Sequence, residues 1–334
     1  MGLVVTPAFA IMLDGKDITS RVKRNLLGIQ LLEYSGRMSD RLIITIGLPE
    51  TDKILPHGGV LSLSLGAGDI LVYKGQFIID ELILSGFPRQ LQVVADAAPM
   101  DDTRQPATLQ SHKTRSFDAI TFDTLVTTIA KEHQLRPKVS RELAGQLFTH
   151  IDQHNESDIN LLTRLAHQYG AVVKPANGYL LLTPDAAGKK VSGADLPVVT
   201  LNPKEISSWQ IRLTSRTHPG QVVAGYYDVA SGHYQTFTAG SGDPVYRIVY
   251  QYPNREQAAA AANARLKQNR ASSDMIDITL PVQPKFMHLV AESYIQLRGF
   301  GYTEDRQWRI HRLEWTIQSS GMTMHLTGDA GKTE

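Results

Sequence analysis

GQFIIDELILSGFPRQLQVVADA, residues 75–97, has a counterpart near the other end of the chain in RQWRIHRLEWTIQSSGMTMHLTGDA, residues 306–330. Phe77, Ile79 and Leu82 match Trp308, Ile310 and Leu313 in spacing, and Ser85-Gly86 matches Ser320-Gly321. Both segments close on Asp-Ala, at Asp96-Ala97 and Asp329-Ala330. The stretch ahead of each matches as well, LSLSLGAG at 61–68 against YIQLRGFG at 294–301. Apolar residues at every second position, broken by turn glycines, make each copy a set of antiparallel strands with one buried face. Any two hairpins share alternation; the shared order and the shared closing dipeptide favour a duplicated unit.

Around the first copy, residues 8 to about 97 read as consecutive strands. Asp14-Gly15, after Phe9–Leu13, tolerates the positive φ of a tight hairpin. VLSLSL at 60–65 sets leucines on one face and serines on the other. The polar, turn-rich stretch 99–116 reads as a connector. A helix is expected over roughly 122–134, with Phe122, Leu125, Val126, Ile129 and Ala130 on one stripe, stopped by Arg136-Pro137. HIDQHNESDINLLTRLAHQYG, residues 150–170, begins as a polar entry and becomes a short amphipathic helix. Asn155 and Ser157 are each suited to cap its first N–H groups, and Asp158 complements its positive end. Ile159, Leu162, Leu165, Ala166 and Tyr169 share a face, and Gly170 follows the last turn. AVVKP and GYLLLTP then form a hairpin around Asn177-Gly178.

From Pro197 to about Tyr252 the pattern returns to strands, with Trp209, Ile211 and Leu213 alternating as a half-buried one. AAAAANARLKQN lies in a helix expected over about 255–269, whose small residues suit close packing. The expected fold is mainly β with an α+β middle: two related antiparallel β-barrel domains, 1–98 and 197–334, the second carrying the 255–269 helix. They flank a connector and a small mixed domain over 99–196.

The chain of 334 residues has 34 basic and 33 acidic residues, a net charge of +1. That balance argues against DNA or an anionic membrane as main partner and lowers the barrier to self-association. The absence of cysteine removes disulfides, thiolate metal sites and cysteine nucleophiles. The N-terminal apolar run lacks a preceding basic region and reads as a strand rather than a signal peptide, and no apolar run is long enough to span a membrane.

Candidate chemistry is thin. His150 and His154 stand four apart around Asp152, but in a helix entry with no third ligand, so they read as surface residues. GDAGKTE ends like a phosphate loop, yet Leu326 stands where the first glycine belongs. Gly66-Ala67-Gly68 and Gly299-Phe300-Gly301 are hairpin glycines. Glu50/Asp52, Asp80/Glu81 and Asp101/Asp102 have the residue types of glycosidase acid–base pairs, but acids on turns and strand edges are as a rule solvated. Arg21, Lys23 and Arg24, and Lys113 and Arg115, are short basic clusters without the interleaved aromatics of a nucleic-acid platform. Tyr226, Tyr227, Tyr246, Tyr250 and Tyr252 read as barrel core and subunit interface. No catalytic residue, metal ligand or cofactor is indicated, and a non-enzymatic protein is expected.

Glu156-Ser157-Asp158, then Leu162, Arg164-Leu165-Ala166 and Gly170, resemble the signature of the phage late control protein D family. These are baseplate hubs of contractile tails, similar to the hub part of type VI secretion spike proteins. The order of barrel, helical middle and second barrel matches too, down to a final strand at 321–328. Ile159-Asn160-Leu161 replaces the family's usual aromatic after the acidic start. The resemblance implies a hub of a contractile injection system, a phage tail or a phage-tail-like bacteriocin: a homotrimer whose six similar barrels dock on a sixfold tail tube, or its initiator, and carry a threefold spike. A channel for the tape-measure protein or cargo runs through such a ring. The chain stops at Glu334, so a separate spike polypeptide is expected, with assembly in the bacterial cytoplasm, no cofactor, no membrane and no specific nucleic acid. The rivals are a tail-associated peptidoglycan hydrolase and a nucleic-acid-binding late regulator. Within this frame the 150–170 helix is a packing element between related barrels, with Arg164 pairing a nearby acid.

Overall fold

Period-two patterning builds the first part of the computed structural model, which describes residues 6–36, 38–49, 57–97, 109–176, 178–184, 196, 198–214, 219–270 and 274–330. It forms β1 (Pro7–Leu13), β2 (Lys16–Asp17), β3 (Leu26–Tyr34), β4 (Arg41–Gly47), β5 (Val60–Ala67), β6 (Ile70–Ser85) and β7 (Gln90–Ala97), with helix α1 (Thr19–Arg24) after β2. The middle contributes β8 (His112–Thr121), α2 (Phe122–Glu132), β9 (Arg136–Val139), α3 (Arg141–Ala144), β10 (Leu147–Ser157), α4 (Asp158–Gln168), β11 (Ala171–Ala176) and β12 (Tyr179–Pro184). Next come β13 (Val198–Leu201), β14 (Ser208–Arg212), β15 (Gln221–Asp228), β16 (His233–Gly240), β17 (Val245–Tyr252) and α5 (Arg255–Arg270). The chain closes with β18 (Met275–Pro281), β19 (Tyr294–Leu297), β20 (Gln307–Gln318) and β21 (Gly321–Ala330).

These elements gather into two units. The first holds Met1–Pro99, Asp195–Arg212 and Met275–Gly331; the second holds Met100–Ala194, Leu213–Asp274 and Lys332–Glu334. This grouping differs from three consecutive domains divided at 98/99 and 196/197. The reason is pairing: β13 bonds to β19 and β14 to β18, which returns 198–212 to the first unit, while α5 packs on β15 and β16 in the second.

The first unit is one sheet whose strands run β14-β18-β21-β20-β3-β4-β7-β6-β5-β1-β2, with β19 on β20 and β13 on β19. The expected repeat is built into it at the level of register. In one hairpin Phe77 faces Ala97 and Ile79 faces Ala95, with a bulge before Glu81. In the other Trp308 faces Ala330 and Ile310 faces Gly328, with a bulge before Arg312. Strand order agrees as well: β1-β5-β6-β7-β4-β3 in one half and β13-β19-β20-β21-β18-β14 in the other.

Two details of the matched segments shift. Leu61 faces Phe77 and Ile295 faces Trp308, so Leu61 corresponds to Ile295, one residue from the match suggested by LSLSLGAG and YIQLRGFG. Ser85-Gly86 and Ser320-Gly321 are not equivalent either, because the second hairpin continues through Gln318–Gly321 whereas the first stops at Ser85–Gln90. Nor do the halves close as separate barrels among the described residues. β3 pairs with β4 on one side and β20 on the other, so the sheet runs on from one half into the next.

Both halves contribute to a single apolar core, including Ile29, Leu31, Leu42, Leu63, Phe77, Ile278, Leu313, Trp308 and Trp315. At the joint between halves, Arg312–Ile317 of β20 runs antiparallel to Ile29–Tyr34 of β3. Inside that joint the Trp315 indole N–H donates to Glu33 Oε2 at 2.6 Å. Lys74 Nζ lies 3.8 Å from the same oxygen and 4.1 Å from the Trp315 ring centroid. It also donates to the Leu289 carbonyl at 3.3 Å. Burial lowers the Lys74 pKa, and the Glu33 charge opposes that fall. Removing one partner of a buried ion pair strands the other. Lys74→Met is therefore expected to destabilise the fold by about 2–4 kcal/mol, and the double variant Glu33→Gln/Lys74→Met by less than the sum of its singles. Urea denaturation of the four proteins checks this; additive losses would mean that the pair does not act as a unit.

Candidate functional site

In the second unit, β8 and β10 pair antiparallel, β9, β11 and β12 form a small sheet, and β15–β17 form a third. The stretch expected as a polar helix entry is strand: β10 runs to Ser157 and α4 begins at Asp158. The polar, turn-like residues belong to a bulge between Gln153 and Glu156, where Asn155 has φ 45°. Ser157 is the cap, accepting from the Asn160 N–H, and it is buried.

Asp158 is the centre of this region. Its side chain is fully buried, and four donors saturate its carboxylate. Oδ1 accepts from Arg115 at 2.8 Å and from the Gln153 amide at 2.7 Å. Oδ2 lies 2.6 Å from Lys113 Nζ and 2.6 Å from His133 Nε2. Glu132 completes the cluster, 2.8 Å from Lys113 and 2.6 Å from Arg115. Burial by itself pushes the Asp158 carboxyl up; the hydrogen bonds from Lys113, His133 and Gln153, with the Arg115 charge, outweigh it and hold the pKa at about 2. The cluster ties β8, the end of α2, β10 and the start of α4 together.

The other motif residues serve the same packing. Arg164 donates to both Glu156 oxygens, at 3.1 and 2.7 Å, and to the Asp152 carbonyl at 3.1 Å. Leu162, Leu165 and Ala166 are buried in a core with Phe122, Phe148 and Leu180. Ile159, expected on the apolar stripe, is only partly buried, and Leu161 takes a fully buried place. Gly170 has φ +59°, and a Cβ there would stand 3.2 Å from Ala264 Cβ on α5, so both conformation and space call for glycine. The alanines of α5 find their use here and against β15, with Ala258, Ala261 and Ala262 buried.

Glu132, His133 and Asp158 offer ligand atoms within 4.8 Å of one another. Lys113 and Arg115 already neutralise those carboxylates, so the donor set describes an internal ion cluster rather than a metal centre. His150 sits on the surface with Nδ1 2.5 Å from Asp118 and Nε2 3.1 Å from Asp152, and the Asp118 hydrogen bond raises its pKa. The structure does not bring His154 into this arrangement. Asp80 falls at the β6 bulge beside Glu81. Glu50, Asp52, Asp101, Asp102 and the Gly331-Lys332-Thr333 segment lie outside the described residues. Of the tyrosines, Tyr226 and Tyr252 are buried with α5, whereas Tyr227, Tyr246 and Tyr250 are exposed.

Lys113, Arg115, Glu132, His133 and Gln153 are the partners that the motif alone did not reveal. The available signal was the Lys-x-Arg spacing, which puts two cations on one face of a strand.

A family model described as "Phage tail baseplate hub (GPD)" matches residues 100–321. The chain is 26% identical over 368 aligned positions to the "Probable baseplate hub protein" of Escherichia phage P2, covering 97% of this chain and 93% of that protein. It is 28% identical over 369 positions to the protein of the same description in Escherichia phage 186, with the same coverage. The 43 kDa tail protein of prophage MuSo2 from Shewanella oneidensis shares the fold, with a TM-score of 0.69 at 14% identity over 98% of this chain and 99% of that one.

Because its folded pKa is depressed, Asp158 contributes stability that is complete above its ordinary pKa of 3.8 and is lost as pH falls through about 2. Asp158→Asn should cost about 2–3 kcal/mol at neutral pH and flatten the stability loss across that acid window, since Lys113 and Arg115 lose a buried counter-charge. Arg164→Ala, at a more exposed pair, should change stability by at most about 1 kcal/mol. Denaturant titrations at stepped pH measure both; equal losses for the two variants would contradict the ranking.

Proposed function

The chain belongs to the phage tail baseplate hub family, and from that premise we propose that it works there as a homotrimeric adaptor in a contractile tail. On one side the trimer meets a sixfold tail tube or its initiator protein; on the other it carries a threefold spike. The observation that carries this reading is the duplicated half-sheet. Three copies of a chain with two equivalent halves present six similar surfaces while keeping threefold symmetry for the spike. A central channel admits the tape-measure protein or cargo.

The role is mechanical rather than enzymatic. The cluster of titratable groups around Asp158 has its central carboxylate occupied by four hydrogen bonds. Assembly takes place in the bacterial cytoplasm before the hub enters the virion baseplate.

Light scattering on the purified chain tests the trimer. The expected mass is about 111 kDa, three times the 36.9 kDa of one chain. A monomer at micromolar concentration, alone and with spike protein added, would overturn the trimeric reading.

A further inference from the structure

We propose that the solvent face of the small β9–β12–β11 sheet is a docking surface for an extended acidic segment of a partner protein, one with carboxylates at alternate positions. It goes beyond the hub reading and depends on neither the trimer nor the spike.

Parallel pairing sets Arg136 beside Tyr179 and Lys138 beside Leu181, and antiparallel pairing sets Lys174 on the far side of Leu181. Successive side chains of a strand alternate between faces. Leu180, Leu182 and Val173 therefore turn the other way, into the core of the second unit. Arg136 and Lys138 are exposed, and Lys174, Tyr179 and Leu181 are half-buried. Solvent thus meets three cations on a floor of Tyr179 and Leu181.

Elsewhere in this unit cations meet carboxylates. Lys113 and Arg115 close on Asp158 and Glu132, and Arg164 closes on Glu156. Arg136 and Lys138 instead lie by the Tyr179 ring, 6.0 and 5.2 Å from its centroid. No acidic residue occurs between Glu132 and Glu142, or between Asp158 and Asp185. In a chain whose net charge is +1, this face is a local excess of positive charge.

Geometry selects the partner. Cations two residues apart on one strand face stand about 7 Å from each other, the repeat of same-face side chains in any extended segment. The arginine fork takes a carboxylate through two parallel hydrogen bonds. A nucleic-acid base stacked on Tyr179 would have to displace the cations already there, which disfavours single-stranded nucleic acid. Nor does the face invite an added strand. Arg136 and Ser140 direct their N–H groups to the Gly178 and Leu182 carbonyls beside them, so alternation turns Pro137 and Val139 to the outer edge. Proline has no N–H to offer there. Recognition runs through the side chains of the face.

Fluorescence anisotropy of a labelled peptide of alternating Thr and Glu, titrated at low salt with the full chain, tests this. Saturable binding is expected, tighter than that of a peptide of the same composition with its Glu residues in one block. Arg136→Glu/Lys138→Glu should weaken it about tenfold or more, and the milder Arg136→Gln/Lys138→Gln by less. Lys23→Glu/Arg24→Glu, the same charge change on exposed residues of α1, should leave it within about twofold. Urea midpoints matching the parent separate loss of binding from loss of fold. No binding, equal binding of the block peptide, or equal losses in the two charge-reversed variants would overturn the docking face. An oligothymidylate that binds more tightly than the alternating peptide, and is lost with Arg136 and Lys138, would overturn the protein partner in favour of nucleic acid.

Discussion

The β3–β20 ladder is the contact on which the first unit depends. Without it the chain holds two half-sheets, each with an edge strand bearing large apolar side chains. With it, Leu31 and Trp315 lose all contact with water and one apolar core extends through both halves. Burying two such side chains stabilises the fold by roughly 2 kcal/mol or more apiece. The same joint places Glu33 and Lys74 largely out of water, and the Trp315 indole and the Leu289 carbonyl supply partners for these charges. A slipped register would leave a buried ion without its partner, so the pair specifies the joint more than it strengthens it.

The second unit solves a similar problem by different means. There the β8–β10 pair and the ends of α2 and α4 meet around Asp158. A carboxylate with four donors can hold β8, β10 and two helix ends in one geometry. Both oxygens of the Asp158 carboxylate are engaged by donors, two on each.

Much of this was legible in the residues. Alternation at Phe77, Ile79 and Leu82 and again at Trp308, Ile310 and Leu313 revealed a repeat that holds down to the bulge, because a period of two survives divergence as long as one face stays buried. The α4 helix, its Ser157 cap and Gly170 were readable for the same local reason. The alanines of α5 announced close packing, though only the fold shows Ala264 against Gly170.

What the chain's own order determined is therefore local: strand and helix periodicity, caps, turns, the duplication and the family motif. Tertiary structure alone decided the rest. It runs two expected barrels together as one sheet, sends 213–274 to the other unit, and surrounds Asp158 with residues from 113 to 153 in the sequence. Periodicity shows which face of a strand is apolar, but not which strand will lie beside it. Hydrogen-bonding edges are made of backbone, identical at every residue except proline, and so leave no mark in the sequence.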